Sequence, residues 1–295
     1  MKNTVLMIVA LATGAVVMVV QGLVSGHHAR PEKSAPRIPQ AAVDTSGFTA
    51  LASETKTLEL GDVRVTWIQD RAAMQPVNLF PQAPASLIDS LHLRGGIPSS
   101  LSTFLVESKG MRILFDTGLG GKDSRLLHLL SLMGLTPADI GFIYLTHLHS
   151  DHIGGLLDGG RPMFPMAQVF VSKQEFKGWM GMPGEKKAQV EKMAKAYRLN
   201  LHFFDFGDYL PGGVKTIDAS GHTPGHTVFR VGDLLIVGDI LHGAALQLAD
   251  LDLCPTYDMN PAEARVARKR ILQLARTDSL VMAGMHLPAP GFMKF

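Results

Sequence analysis

The sequence predicts a mixed α/β (α+β) fold, and three observations carry that expectation. Short β-type runs occur in pairs around turn residues, as residues 57–60 and 63–68 do around Gly61-Asp62, which is a hairpin signal. Segments with apolar residues at helical spacing lie between them, for example Leu126, Leu129, Leu130 and Met133. Finally, the apolar run 142–145 reads as a buried strand. It opens into residues 146–155, Thr-His-Leu-His-Ser-Asp-His-Ile-Gly-Gly, with His147, His149, Asp151 and His152 close together.

Composition sets the limits. The chain has 295 residues, 46% of them hydrophobic and 18% charged. That suits a sizeable core and excludes a disordered chain. A net charge of +2 without a Lys/Arg block gives nucleic acid no footing. Cys254 is the only cysteine, so neither an internal disulfide nor a thiolate zinc site is expected. Lys2, the apolar run 4–20 and Val24-Ser25-Gly26 read as a secretory signal peptide, the alternative being a retained anchor. Residues 1–26 are therefore expected to direct export to the periplasm or beyond. Residues 27–56, with Pro31, Pro36 and Pro39, read as a linker. The catalytic domain is expected over 57–295. In the linker, the pair His27-His28 reads as incidental.

Within that domain, 71–93 carries Pro76, Pro81 and Pro84 and reads as a long loop with a short helix from Ser86. Residues 102–107 and 111–116 form a second hairpin around Ser108-Lys109-Gly110, and 122–133 a helix. After the histidine-rich stretch come a strand at 168–171 and helices at 173–180 and 185–199, broken by Gly181-Met182-Pro183-Gly184. Trp179, Met180, Met182 and Tyr197 read as core or as pocket wall. Residues 214–219 form a strand ending at Ser220-Gly221-His222. A further hairpin follows, 227–231 with 233–237. Asn260-Pro261-Ala262-Glu263 starts a helix: Asn as cap, Pro at the first position and Glu three after the cap. A last strand, 280–285, precedes His286.

Imidazoles and a carboxylate at the mouth of a strand are the ligand types of a borderline cation such as Zn²⁺. Residues two apart in extended backbone point the same way, so His147 and His149 can share one ion. Asp151 and His152 lie past the turn and can face a second. The His-x-His-x-Asp-His signature resembles that of the metallo-β-lactamase superfamily. The resemblance runs on in order through Asp116-Thr117-Gly118 ahead of it, Ser220 to Thr227 behind it, Gly238-Asp239 and His286. The layout is most similar to the methyl parathion hydrolase-like and N-acyl-homoserine-lactone lactonase-like branches.

That resemblance implies a four-layer αββα sandwich and two metal ions, zinc first, with iron or manganese as alternatives. His147, His149 and His222 would hold one ion and Asp151, His152 and His286 the other, with Asp239 and a water between them. Such a water loses a proton at a pKa of about 7 and attacks an ester, lactone or phosphotriester, while Asp151 shuttles the proton. Asp116 would orient a ligand imidazole and His226 would be structural; His242, three residues past Asp239, is near enough along the chain to line the site. Antibiotic-hydrolysing members of the common class carry cysteine where Asp239 stands, which disfavours a β-lactamase. An iron-dependent redox member of the same fold is the other alternative. The partner expected is a small-molecule substrate; a membrane tether through the N-terminal segment and a homodimer stay open.

Overall fold

Strand alternation sorts the apolar residues onto the faces of two sheets. In the computed structural model of the chain, residues 54–295 are described in full; before them only the backbone of Val5–Leu11, Gly14–Val20 and Phe48–Ala52 is. The expected cleavage end at 24–26 and the pair His27-His28 lie outside the described residues. So does the stretch read as linker, up to residue 47. Its end holds Phe48–Ala52 and the start of Thr55–Leu60, both already part of a sheet. Among the described residues no helix is long and apolar enough to cross a membrane.

The first sheet has eight strands in the order Leu201–Phe204, Gln168–Ser172, Phe142–Tyr144, Met111–Phe115, Ile97–Ser108, Val63–Gln75, Thr55–Leu60 and Phe48–Ala52. The second has six: Tyr209–Leu210, Val214–Asp218, Thr227–Val231, Leu234–Gly238, Val281–Gly284 and Phe292–Met293. Ile113 and Phe115 point between the sheets, while Leu114 points outward to Leu126, Leu129 and Leu130 of the helix Leu126–Leu132. In the second sheet Leu234 and Ile236 point inward. Leu235 and Val237 point outward onto Ala267, Ile271 and Leu272 of the helix Pro261–Thr277. The result is helix, sheet, sheet, helix, as period-2 alternation with both faces covered requires.

The space between the sheets is filled by aromatic rings. Phe115 meets Tyr144 edge-on at 5.6 Å and Phe229 at 5.3 Å, and all three are buried. Phe115→Ala is expected to cost about 3–5 kcal/mol, the usual range for emptying an aromatic core site. Urea unfolding measures it, and a loss below about 1 kcal/mol would contradict this packing.

Candidate metal centre

The chemistry gathers at one end of the sandwich, where strands from both sheets finish. His147 and His149 follow Phe142–Tyr144, and Asp151 and His152 sit on the four-residue helix Ser150–Ile153. His222 follows Val214–Asp218, Asp239 follows Leu234–Gly238, and His286 follows Val281–Gly284. A backbone bond, Thr227 N–H to Thr146 O at 2.8 Å, joins the two sides. At Gly238 the chain turns with φ 53°. A Cβ there would lie 2.4 Å from His226 Nε2, so only glycine lets the strand release Asp239 at this point.

All seven predicted residues come together. His149 Nδ1 lies 3.0 Å from both His147 Nε2 and His222 Nε2. Asp239 Oδ2 is 3.3 Å from His222 Nε2 and 3.7 Å from His147 Nε2. On the other side, Asp239 reaches His152 Nε2 at 3.3 Å and His286 Nε2 at 3.1 Å. Asp151 Oδ2 is 3.5 Å from His286 Nε2 and 3.7 Å from His152 Nε2. Asp239 therefore stands between two clusters, one of His147, His149 and His222 and one of Asp151, His152 and His286.

The outer nitrogens fix what the inner ones present. His152 Nδ1 donates to Asp116 Oδ2 at 2.7 Å, His222 Nδ1 to Asp258 Oδ1 at 3.0 Å, and His286 Nδ1 to the Ser100 carbonyl at 3.0 Å. Thr146 Oγ1 donates to Asp116, so His147 Nδ1 must donate to Thr146 Oγ1 at 3.0 Å. In their neutral form these four rings turn lone pairs, not protons, toward the centre. His152 Nε2 and Asp239 Oδ1 are buried and face each other at 3.3 Å, yet among the described residues neither makes a hydrogen bond, which is costly unless another group satisfies them. Divalent cations fit this donor set.

Charge points the same way. Burial pushes the Asp239 carboxyl up, but His152, His286, His242 and His147 outweigh it and hold it well below the usual range. Burial disfavours a charged His222, yet hydrogen bonds to Asp239 and Asp258 push the ring up to about 9. His149, by contrast, is pushed by burial and by His222 down to about 3. The carboxylates demand positive charge where the rings cannot all supply it. A cation meets that demand with neutral ligands.

Asp116 adopts φ 59°, a conformation that costs a non-glycine residue about 1–3 kcal/mol and gathers at functional sites. His242 Nε2 lies 3.0 Å from Asp239 Oδ2, with its ring stacked on His286 at 4.9 Å. His226 is occupied on both sides: its Nδ1 donates to the Ala219 carbonyl and its Nε2 accepts from the Asp239 amide. Trp179, Met180, Met182 and Tyr197 join the core between sheet and helices; Trp179 also meets His149 edge-on at 5.4 Å. Two buried carboxylates were not anticipated. Asp258 holds His222 and contacts Arg268 Nη2 at 3.3 Å; Glu175 lies behind the histidine loops. No local pattern marks either, since one reads as a loop acid and the other as a first-turn helix charge.

The Metallo-beta-lactamase superfamily pattern matches residues 96–286, and the chain belongs to that superfamily. It is 32% identical over 117 residues to the N-acyl homoserine lactonase AttM of Agrobacterium fabrum, a match covering 37% of this chain and 43% of that protein. The matched stretch is thus less than half of that lactonase. Among solved structures, the dizinc quorum-quenching lactonase AidC, in complex with a product, superposes with a TM-score of 0.74 at 26% identity. It covers 81% of this chain and 92% of its own. The hydrolase AbOPH of the beta lactamase superfamily superposes with a TM-score of 0.72 at 28% identity, over 85% and 94% of the two chains.

Proposed function

We propose that the chain is an exported hydrolase that uses two zinc ions to open an ester-type bond, with lactones the foremost substrates and aryl esters and phosphotriesters next. The observation that carries this is Asp239, with four imidazoles of the two clusters around it and one oxygen otherwise unpartnered. Likeness to AidC and AttM supports the lactone preference. The apolar run behind Lys2 supports export.

His147, His149 and His222 would hold one ion, Asp151, His152 and His286 the other, and Asp239 both. Bound there, the pair would supply an activated water and a polarised scissile bond. The chain's own groups do the rest. Asp151 is the most open member of its own cluster, its side chain 29% exposed against 1% for His152 and 3% for His286. Burial pushes its carboxyl up, but His152 and His286 outweigh that and keep it below the usual range. It is therefore ionised at neutral pH, able to take a proton from water and hand it to the departing oxygen. Cys254 is no nucleophile: it is buried, its Sγ lies 3.4 Å from the Pro261 carbonyl, and burial pushes its thiol up.

The test is elemental analysis of purified protein with assays on lactone, aryl ester and aryl phosphotriester panels, run on periplasmic and cytosolic fractions. Two zinc ions per chain and turnover fastest on lactones, concentrated in the periplasm, are expected. Protein without zinc and without turnover sinks the reading; activity confined to the cytosol sinks its export part.

A further inference from the structure

Behind the first cluster, the helix Lys173–Met180 carries a carboxylate that no step above uses. Glu175 is fully buried, and both of its oxygens are saturated. Oε1 accepts from the Leu148 amide at 2.9 Å and from Trp179 Nε1 at 2.6 Å. Oε2 accepts from Thr223 Oγ1 at 2.8 Å and from the Gly225 amide at 2.7 Å. None of these four donors is charged.

What the donors have in common is their position. Leu148 separates His147 from His149, and Thr223 follows His222. Trp179 presses edge-on against the His149 ring. One carboxylate thus ties the backbone of one ligand loop to that of the other, and braces the third imidazole through an indole. The helix is seated for this. Its N-cap Ser172 accepts from Glu175 N–H and donates to the Gly225 carbonyl, both at 3.0 Å. A Cβ at Gly225 would lie 2.2 Å from Glu175 N, and one at Gly178 would lie 2.5 Å from Pro224, so glycines on both sides allow the close docking.

We infer that Glu175 is a positioning residue for the first metal site: it sets the spacing of His147, His149 and His222 without touching the ion. This rests on the two-metal reading given above. The chemistry asks for a carboxylate. Glutamine keeps the shape but offers one acceptor oxygen, and its amide N–H groups would confront two of the four donors. Ligand supports of this kind typically change metal affinity by about 10–100-fold.

The test uses the full chain, stripped of metal and titrated with zinc against a chromogenic chelator, with the melting temperature of the metal-free form measured alongside. Wild type should show two binding events. Glu175→Gln should weaken one by about 10–100-fold and leave the other within about twofold. Thr223→Val, which removes one of the four donors, should weaken the same event by less, and Thr223→Ser should restore it. If Glu175→Gln binds both ions as tightly as wild type and only its metal-free melting temperature falls, Glu175 is structural and the inference is overturned. Equal weakening of both events overturns it too. Should Glu175→Gln fail to fold, the threonine pair decides, and wild-type affinity in Thr223→Val is then the refuting result. Wild type that binds no zinc overturns the two-metal reading itself, and this inference with it.

Discussion

Asp239→Asn is expected to lose on the order of 10³-fold in kcat/KM, about 4 kcal/mol of transition-state stabilisation, and to retain less than one zinc per chain. Asparagine keeps the outline of the side chain. The Asp239 amide still donates to His226, so the turn survives. What goes is the negative charge facing His152, His286, His242 and His147, together with the second oxygen that lets one residue serve both clusters. Elemental analysis and steady-state kinetics on the best lactone check the outcome. A variant holding two zinc ions with more than about a tenth of wild-type activity would refute the bridging role.

Stripping the metals is the second large effect. A ligand present at about a thousand times its Kd stabilises by about 4 kcal/mol. For a domain of this size, losing one ion should lower the melting temperature by roughly 10 °C. Dialysis against a chelator is therefore expected to abolish turnover and lower the melting temperature by at least that much, and added zinc should restore both. The rings are held by Asp116, Asp258 and the Ser100 carbonyl, so the ligand geometry should outlast removal and recovery should need no refolding. Full activity after exhaustive chelation would exclude metal chemistry.

Much of the centre was legible because its ligands sit in compact stretches at strand ends, where residue type alone narrows the chemistry. The Thr146 to Gly155 loop, His222, Asp239 and His286 could each be read beside a strand that the structure contains. What escaped depends on distant partners. The helix expected from Lys122 starts at Leu126, because Asp70 Oδ1 accepts from the Arg125 and Leu126 amides at 2.8 and 3.1 Å; its cap comes from another strand. The loop expected from Arg71 is strand as far as Gln75, because a bulge between Gln69 and Arg71 shifts the register without ending the ladder. The helix Ala244–Ala249 is held locally instead, its own Gln247 Oε1 accepting from the His242 and Gly243 amides, a glutamine cap that the usual Ser, Thr, Asp or Asn signal does not reveal. The strand Leu201–Phe204 lies at the edge of its sheet with only Phe204 buried, so no alternation marks it. Asp258 and Glu175 acquire meaning only once the chain folds back on itself.

The proposed ligands divide evenly across the interior. One ion would take His147 and His149 from the first sheet and His222 and Asp239 from the second; the other would take Asp151 and His152 from the first and His286 and Asp239 from the second. Neither half of the polypeptide owns a complete coordination sphere. Each cation would act as a rivet through the seam, so a slip of one layer past the other would pull both spheres apart at once. Affinity for the ions would then gauge how well the two halves are aligned.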